Sequence, residues 1–202
     1  MPRYKNAERD GIRQEVRRRL LDAAIAEFAA RGYQAANVNR ISQAAGYAQG
    51  TVYNYFPSKR ALFQAAVADI AARHRDLVLQ GAAVAPDPVA RLERFYAAGY
   101  AFAQGFPAAA HLVASTLYGA DPELRDLVHR AYIPLWQYVE HEIVRAGLLE
   151  RRFRPTDPAL ATALILAVYF AGCAPGDDGA AIGSHPGLLA ALLLDGLSSP
   201  GP

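Results

Sequence analysis

The stretch Val38-Asn39-Arg40-Ile41-Ser42-Gln43-Ala44-Ala45-Gly46-Tyr47-Ala48-Gln49-Gly50-Thr51-Val52-Tyr53-Asn54-Tyr55-Phe56 limits what the rest of the chain can be. Val38, Ile41, Ala44 and Ala45 recur at i, i+3, i+6 and i+7, which puts small apolar groups on one helical face. Gly46 follows where a left-handed residue closes a helix. Val52, Tyr55 and Phe56 stand at i, i+3 and i+4 and can pack a second short helix, expected over Gln49–Phe56, on the first. Gln49, Gly50, Tyr53 and Asn54 are left on the opposite face, with Thr51 at its edge. That face carries amide, hydroxyl and aromatic groups and no acid. Two short helices joined by a glycine turn form a helix-turn-helix, whose second helix enters the DNA major groove.

Charge supports the same partner. The whole chain of 202 residues is only +2, but residues 1–60 hold eleven Lys and Arg against five Asp and Glu, a balance of +6. Residues 61–202 hold ten against fourteen, a balance of −4. A basic amino-terminal part on an acidic body predicts contact with a polyanion. The same basic groups also suit a solvated helix face, and the adjoining helix-turn-helix decides for the polyanion.

The run Gly50-Thr51-Val52-Tyr53-Asn54-Tyr55-Phe56-Pro57-Ser58-Lys59-Arg60-Ala61-Leu62-Phe63, with Ile41-Ser42-Gln43-Ala44-Ala45-Gly46 before it, resembles the signature of the tetracycline-repressor (TetR) family of bacterial transcription regulators. The match covers about the first third of the chain; the remainder is similar only in helical layout. The resemblance implies an all-α protein with a three-helix DNA-binding domain, then a helical domain for effector binding and dimerisation. It implies a homodimer through the last two helices, double-stranded operator DNA as partner, a small-molecule effector and no catalytic activity. Tyr53 and Tyr55 look like the family's phosphate-binding or methyl-stacking tyrosines. Asn37 stands where a hydroxyl residue is usual, Asn54 where histidine is frequent, and Ala48 replaces a commonly polar residue at the helix entry. The operator therefore cannot be copied from a relative.

Base chemistry refines these expectations. Gln49 has the amide for a bidentate pair with adenine, and Thr51 offers a methyl to thymine or a hydroxyl to phosphate. Asn37 sits where an N-cap side chain would hold the free amides of the second helix, and Ser58 caps a fourth. A helix amino end favours a nearby phosphate, to which Lys59 adds a point charge. The expected DNA-binding residues are thus Asn37, Gln49, Gly50, Thr51, Tyr53, Asn54, Tyr55 and Lys59. Packing is the competing role for Tyr55, which stands on the apolar side.

About nine helices are expected. Residues 1–12 read as a loose basic arm with Arg3, Lys5 and Arg9. The first helix runs from Ile12 to Arg31 on the stripe Val16, Leu20, Ala24 and Phe28, and Gly32 stops it. A fourth helix, 57–80, connects a domain of residues 1–60 to one of 61–202. The fifth covers 88–105, the sixth 107–118, and the seventh runs to Ala146 with a kink at Pro134. An eighth ends near Cys173, and a ninth spans 185–197 after a loop at 176–183. The last two are apolar nearly all round and call for partners on more than one side.

In the carboxyl domain Tyr96, Tyr100, His111, Tyr132, Trp136 and Tyr169 are the candidate ligand-binding residues, facing an apolar or aromatic effector. Ordinary core is the competing fate of each. Gly99 and Gly119 either leave room for a ligand or permit close helix packing. His111, His129 and His141 share no metal-ligand spacing, so no metal or cofactor is expected. No phosphate loop, nucleophile elbow or paired-carboxylate motif appears. Residues 158–176 carry no charge and reach the ~18-residue length of a membrane span, but they are alanine-rich and lead into Asp177 and Asp178 without basic flanks, so no membrane insertion is expected. One cysteine, Cys173, fits a reducing cytoplasm, and the charged start, Met1 to Asp10, has no secretory signal. A second reading stays open, that of a helical small-molecule-binding or enzymatic protein with a vestigial helix-turn-helix.

Overall fold

The computed structural model describes residues 2–82, 85–172, 187–188 and 191–193. Its regular elements among the described residues are all helices, without strands. Cys173, the loop at 176–183 and all but five residues of the expected ninth helix lie outside them; those five are helical. The chain divides into two compact units, residues 1–69 and 70–202.

In the first unit, α1 spans Pro2–Ala35. The expected loose arm is therefore the first turns of this helix. Proline at the first helical position and a Lys-Asn-Ala-Glu-Arg run are compatible with a helix, and Gly11 does not interrupt it. Gly32 has φ 70° and ψ 167°, which breaks the regular helix where expected and sets Tyr33–Ala35 off as a separate turn. The α1 stripe is buried at Leu20, Leu21, Ala24, Ile25 and Phe28. Helix α2 covers Val38–Ala44, a 3₁₀ helix Thr51–Asn54, and α3 Lys59–Ala82. Phe63 of α3 meets Phe28 edge-on at 5.1 Å and Tyr33 at 5.2 Å. That packing draws the start of α3 into the first unit, so the division falls inside α3 rather than at residue 60.

In the second unit, α4 spans Pro88–Gly105, α5 Pro107–Leu117 and α6 Pro122–Tyr138. The turns before α4 and α6 are fixed alike. Asp87 accepts from the amides of Val89 at 2.9 Å and Ala90 at 3.0 Å; Asp121 accepts from Glu123 at 3.0 Å and Leu124 at 3.2 Å. In both, proline follows the cap, where its missing N–H costs nothing. Helix α6 runs through Pro134, which has no N–H for the Arg130 carbonyl, and gives way at Val139–Arg145 to π geometry before α7, Ala146–Leu149. Helix α8, Pro158–Gly172, starts on a third Asp-Pro cap, with the Leu160 amide 2.8 Å from Asp157 Oδ1. No helix of the described residues is long and apolar enough to cross a membrane.

Two glycines of this unit stand where another residue's ring needs their space. A side chain on Gly99 would overlap the Tyr169 ring, and one on Gly147 would overlap Phe153. The space at Gly99 is thus filled by Tyr169, which answers the packing-or-ligand question there. Gly119 lies against its own helix end, where a Cβ would be 2.8 Å from the Ser115 carbonyl.

Candidate nucleic-acid interface and effector cleft

The turn of the helix-turn-helix is built from backbone bonds. Gly46, at φ 84°, donates to the Gln43 carbonyl at 2.9 Å, and Tyr47 donates to the Ser42 carbonyl at 2.9 Å. These two bonds form a Schellman motif, which satisfies carbonyls that the end of α2 would otherwise leave open. At the other end of α2 Asn37 Oδ1 accepts from the amides of Asn39 at 2.9 Å and Arg40 at 3.4 Å. The Asn37 amide in turn donates to Glu27 of α1 at 3.2 Å. Glu27, whose side chain is 12% exposed, also faces Arg31 at 3.5 Å and Arg40 at 3.7 Å. One acid thus fixes α2 on α1.

The second element is shorter than the sequence predicts. Instead of an α-helix over Gln49–Phe56 there is a four-residue 3₁₀ helix, Thr51–Asn54. Gly50 precedes it at φ 83°, a left-handed conformation that an α-helix cannot contain. Pro57 follows, and a proline disfavours α geometry in the residue before it. With three residues per turn, Gly50 aligns with Tyr53, Thr51 with Asn54 and Val52 with Tyr55. Val52 and Phe56 are buried, Tyr55 and Thr51 half-buried, and Gln49, Tyr53 and Asn54 exposed, Tyr53 by 52%. The fully buried Ser42 of α2 accepts from the Val52 amide at 3.3 Å and so ties the two elements together.

Cations border this face. The Arg13 guanidinium lies 6.0 Å from the centre of the Tyr55 ring and that of Arg17 5.3 Å from Phe56, within cation–π range. Arg18 and Arg19 are instead engaged by Glu15, at 2.9 Å each. Hydrogen bonds from both hold the Glu15 carboxyl well below the usual range, at about 2. Lys59 Nζ donates to the Gln34 carbonyl at 2.9 Å and lies 5.1 Å from the centre of the Tyr33 ring. An ammonium has three donors, so this contact leaves two for another acceptor.

In the second unit a cleft of about 420 Å³ opens between α5, α6 and α8. Its walls are two helical stripes at i, i+3, i+4, i+7: His129, Tyr132, Ile133 and Trp136 on α6, and Ala163, Leu166, Ala167 and Phe170 on α8. Leu117 and Tyr118 close one end, and Leu135 and Arg130 complete the lining. Tyr132 also belongs to the core behind the cleft. Its hydroxyl lies 3.2 Å from Nδ1 of the buried His74 of α3, while Nε2 of His74 hydrogen-bonds the Tyr169 hydroxyl. Phe102 stacks on the imidazole at 4.2 Å. Burial pushes His74 down to about 4, so the ring is neutral near pH 7.

Comparison with known proteins completes these observations. Residues 20–66 match the family model described as bacterial regulatory proteins, tetR family. Over this stretch the chain is similar to the TetR family. Over 63 residues it is 44% identical to the uncharacterized HTH-type transcriptional regulator YdgC of Bacillus subtilis, covering 31% of this chain and 32% of that protein. Over 84 residues it is 33% identical to the HTH-type transcriptional repressor AcnR of Corynebacterium diphtheriae, covering 42% of each. The chain thus spans about a third to two fifths of the length of these relatives. The likeness in fold runs further. FadR from Bacillus subtilis, solved in complex with stearoyl-CoA, superposes with a TM-score of 0.80 at 18% identity, over 89% of this chain and 98% of that one.

Within the matched stretch Gln49, Gly50, Thr51, Tyr53 and Asn54 occupy one short element, and Asn37, Tyr55 and Lys59 lie on the segments beside it. Gly50 shapes the turn through its φ and offers no side chain. Asn37 spends its carbonyl oxygen on the cap, which leaves its amide nitrogen for a phosphate. Of the six ligand-binding candidates, Tyr132 and Trp136 line the cleft. Tyr96, Tyr100, His111 and Tyr169 do not: Tyr96 is buried and donates to the Ile165 carbonyl at 2.8 Å, Tyr100 stacks beside it at 6.2 Å, Tyr169 serves His74, and His111 lies half-buried on α5. Sequence reasoning missed Ser42, Glu27 and His74. For His74 a signal existed, since it continues the α3 stripe Val67, Ile70, Val78 as its polar member. Among the described residues no group of three or more His, Cys, Asp and Glu could hold a metal ion.

Proposed function

We propose that this protein is a DNA-binding transcriptional regulator, most simply a repressor, released from a palindromic operator by a small apolar or aromatic effector. The observation that carries the reading is the acid-free exposed face of Gln49, Tyr53 and Asn54, presented by a Schellman-turned helix-turn-helix. Gln49, Thr51, Tyr53 and Asn54 read base edges, and Asn37, Tyr55 and Lys59 hold phosphates. With no arginine among the base-reading residues, selectivity leans on adenine and thymine edges. That AcnR is a repressor supports the sign of the effect.

One short recognition element reads one half-site, so the operator requires a two-fold pair. Leu160 and Leu164 of α8 are exposed one helical turn apart, and Leu188 and Leu192 are exposed as well. Dimerisation through the last two helices would bury them. The protein then acts where the chromosome is, in the cytoplasm, without a membrane partner.

The cleft between α5, α6 and α8 is the effector site. Its volume and apolar lining suit a small molecule, and the stearoyl-CoA complex of the similarly folded FadR supports that use. Tyr132 joins it to α3, because its ring lines the cleft and its hydroxyl meets His74. An effector that displaces Tyr132 would thereby bias the helix that carries residues of both units. Effector and operator then weaken each other by the same factor.

The test is selection of binding sites from random DNA at stated salt with the purified full chain. The expected outcome is an enriched palindrome. Recovery of no enriched sequence would favour a helical small-molecule-binding or enzymatic protein whose helix-turn-helix is vestigial.

A further inference from the structure

The effector cleft is apolar except at one end. Its lining holds no acid, and its only permanently charged member is Arg130, next to His129 on the amino-terminal side of the α6 stripe. Both side chains are exposed, and among the described residues Arg130 makes no ion pair. Asp126, one turn earlier on α6, makes no bond to it, so the guanidinium keeps its fork of donors for another acceptor. Trp136 stands at the other end of the same stripe, about 9 Å further along the helix axis. Between them Tyr132, Ile133, Leu166 and Phe170 offer only rings and branched chains to the cleft.

We propose that the cleft takes an amphiphilic carboxylate, with its head paired to Arg130 and its hydrocarbon tail laid along α6 and α8 toward Trp136. The proposal rests on the cleft being the effector site and adds the class of molecule. Three physical points carry it. A planar guanidinium matches a carboxylate with two parallel hydrogen bonds. Burying a tail on this lining removes apolar surface of both partners from water. A neutral apolar ligand would gain the second contribution alone and would leave the one cation of the lining unused. The exposed Ile133 and Trp136 fit the same arrangement, because the tail is what would cover them.

Trp136 is the only tryptophan of the chain, so its fluorescence reports on the cleft without a label. The full chain is titrated with decanoate and with 1-decanol, both below their aggregation concentrations, and the same is done with Arg130→Gln. The expected result is saturable change with decanoate at a concentration at least tenfold lower than with 1-decanol. In Arg130→Gln that preference should vanish while the decanol titration stays unchanged; circular dichroism checks that the variant is folded. Equal affinity for the two probes in the unaltered protein would sink the carboxylate class and leave the effector cleft standing. Failure of both probes to alter the fluorescence would remove the cleft as an effector site altogether. A signal that follows protein concentration and ignores both probes would mean that a second copy of the chain covers the cleft, which also overturns the proposal.

Discussion

The ring of Tyr169 occupies the space in which Gly99 would carry a side chain. Helices α4 and α8 are in contact there, and the close approach lets the Tyr169 hydroxyl reach His74 while its ring stacks on Phe95 at 4.2 Å. Gly99→Ala should therefore act as overpacking, destabilising the second unit by about 1–3 kcal/mol. Urea unfolding measures it. Adding Tyr169→Leu should cost less than the sum of the two single changes, because both act on one contact.

His74 gives stability a specific dependence on pH. Burial holds it at about 4, against an ordinary value of 6.5. Between those values the unfolded chain binds a proton that the folded chain refuses, so stability falls as pH falls through that window and is flat above it. The full loss is about 3 kcal/mol. In His74→Phe the baseline should be lower, since the Tyr132 and Tyr169 hydroxyls lose their partner, but this contribution to the slope between pH 6.5 and 4 should disappear. Thermal melts across that range show whether it does.

Ser42 is the buried polar link between α2 and the 3₁₀ helix. Ser42→Ala leaves the Val52 amide without its acceptor and should cost about 1–3 kcal/mol. Operator affinity should fall as well, because this bond ties Thr51–Asn54 to α2. Unchanged hydrogen exchange at the Val52 amide would contradict this.

Exchange of both Tyr53 and Asn54 for alanine removes exposed groups and no packing. Specific operator binding should be abolished while the circular dichroism spectrum and the oligomeric state stay as they were. Retained operator affinity in a gel-shift titration would show that another face reads the DNA.

Arg13 and Arg17 flank the same face, stacked on Tyr55 and Phe56. If each neutralises one phosphate, exchange to alanine should weaken binding about equally on all sequences. It should also make the slope of log K against log salt shallower by about 0.9 per arginine. Arg18→Ala should change the slope far less, because Glu15 already occupies that guanidinium.

The helix-turn-helix was legible because its determinants are local. Gly46 is needed where the chain must turn left-handed, and the spacing of Val38, Ile41, Val52 and Phe56 states which side is buried. The caps at Asn37 and Ser58 were legible for the same reason, as each acts on amides two or three residues away. The shortened recognition element was partly legible, since Gly50 and Pro57 bracket it, but periodicity alone extends it to a full α-helix.

What the sequence by itself determined, then, is the all-helical plan, the exposed face of Gln49, Tyr53 and Asn54 and the positions of most helix starts, because dihedral limits, capping and side-chain period act within a few residues. Only the tertiary structure decided which aromatics meet a cleft and which fill the core. Tyr132 and Tyr169 look alike along the chain, yet one lines the cleft while the other is locked between Gly99 and His74. Their partners stand 58 and 95 residues away from them in sequence, both at His74, and no local period carries that information.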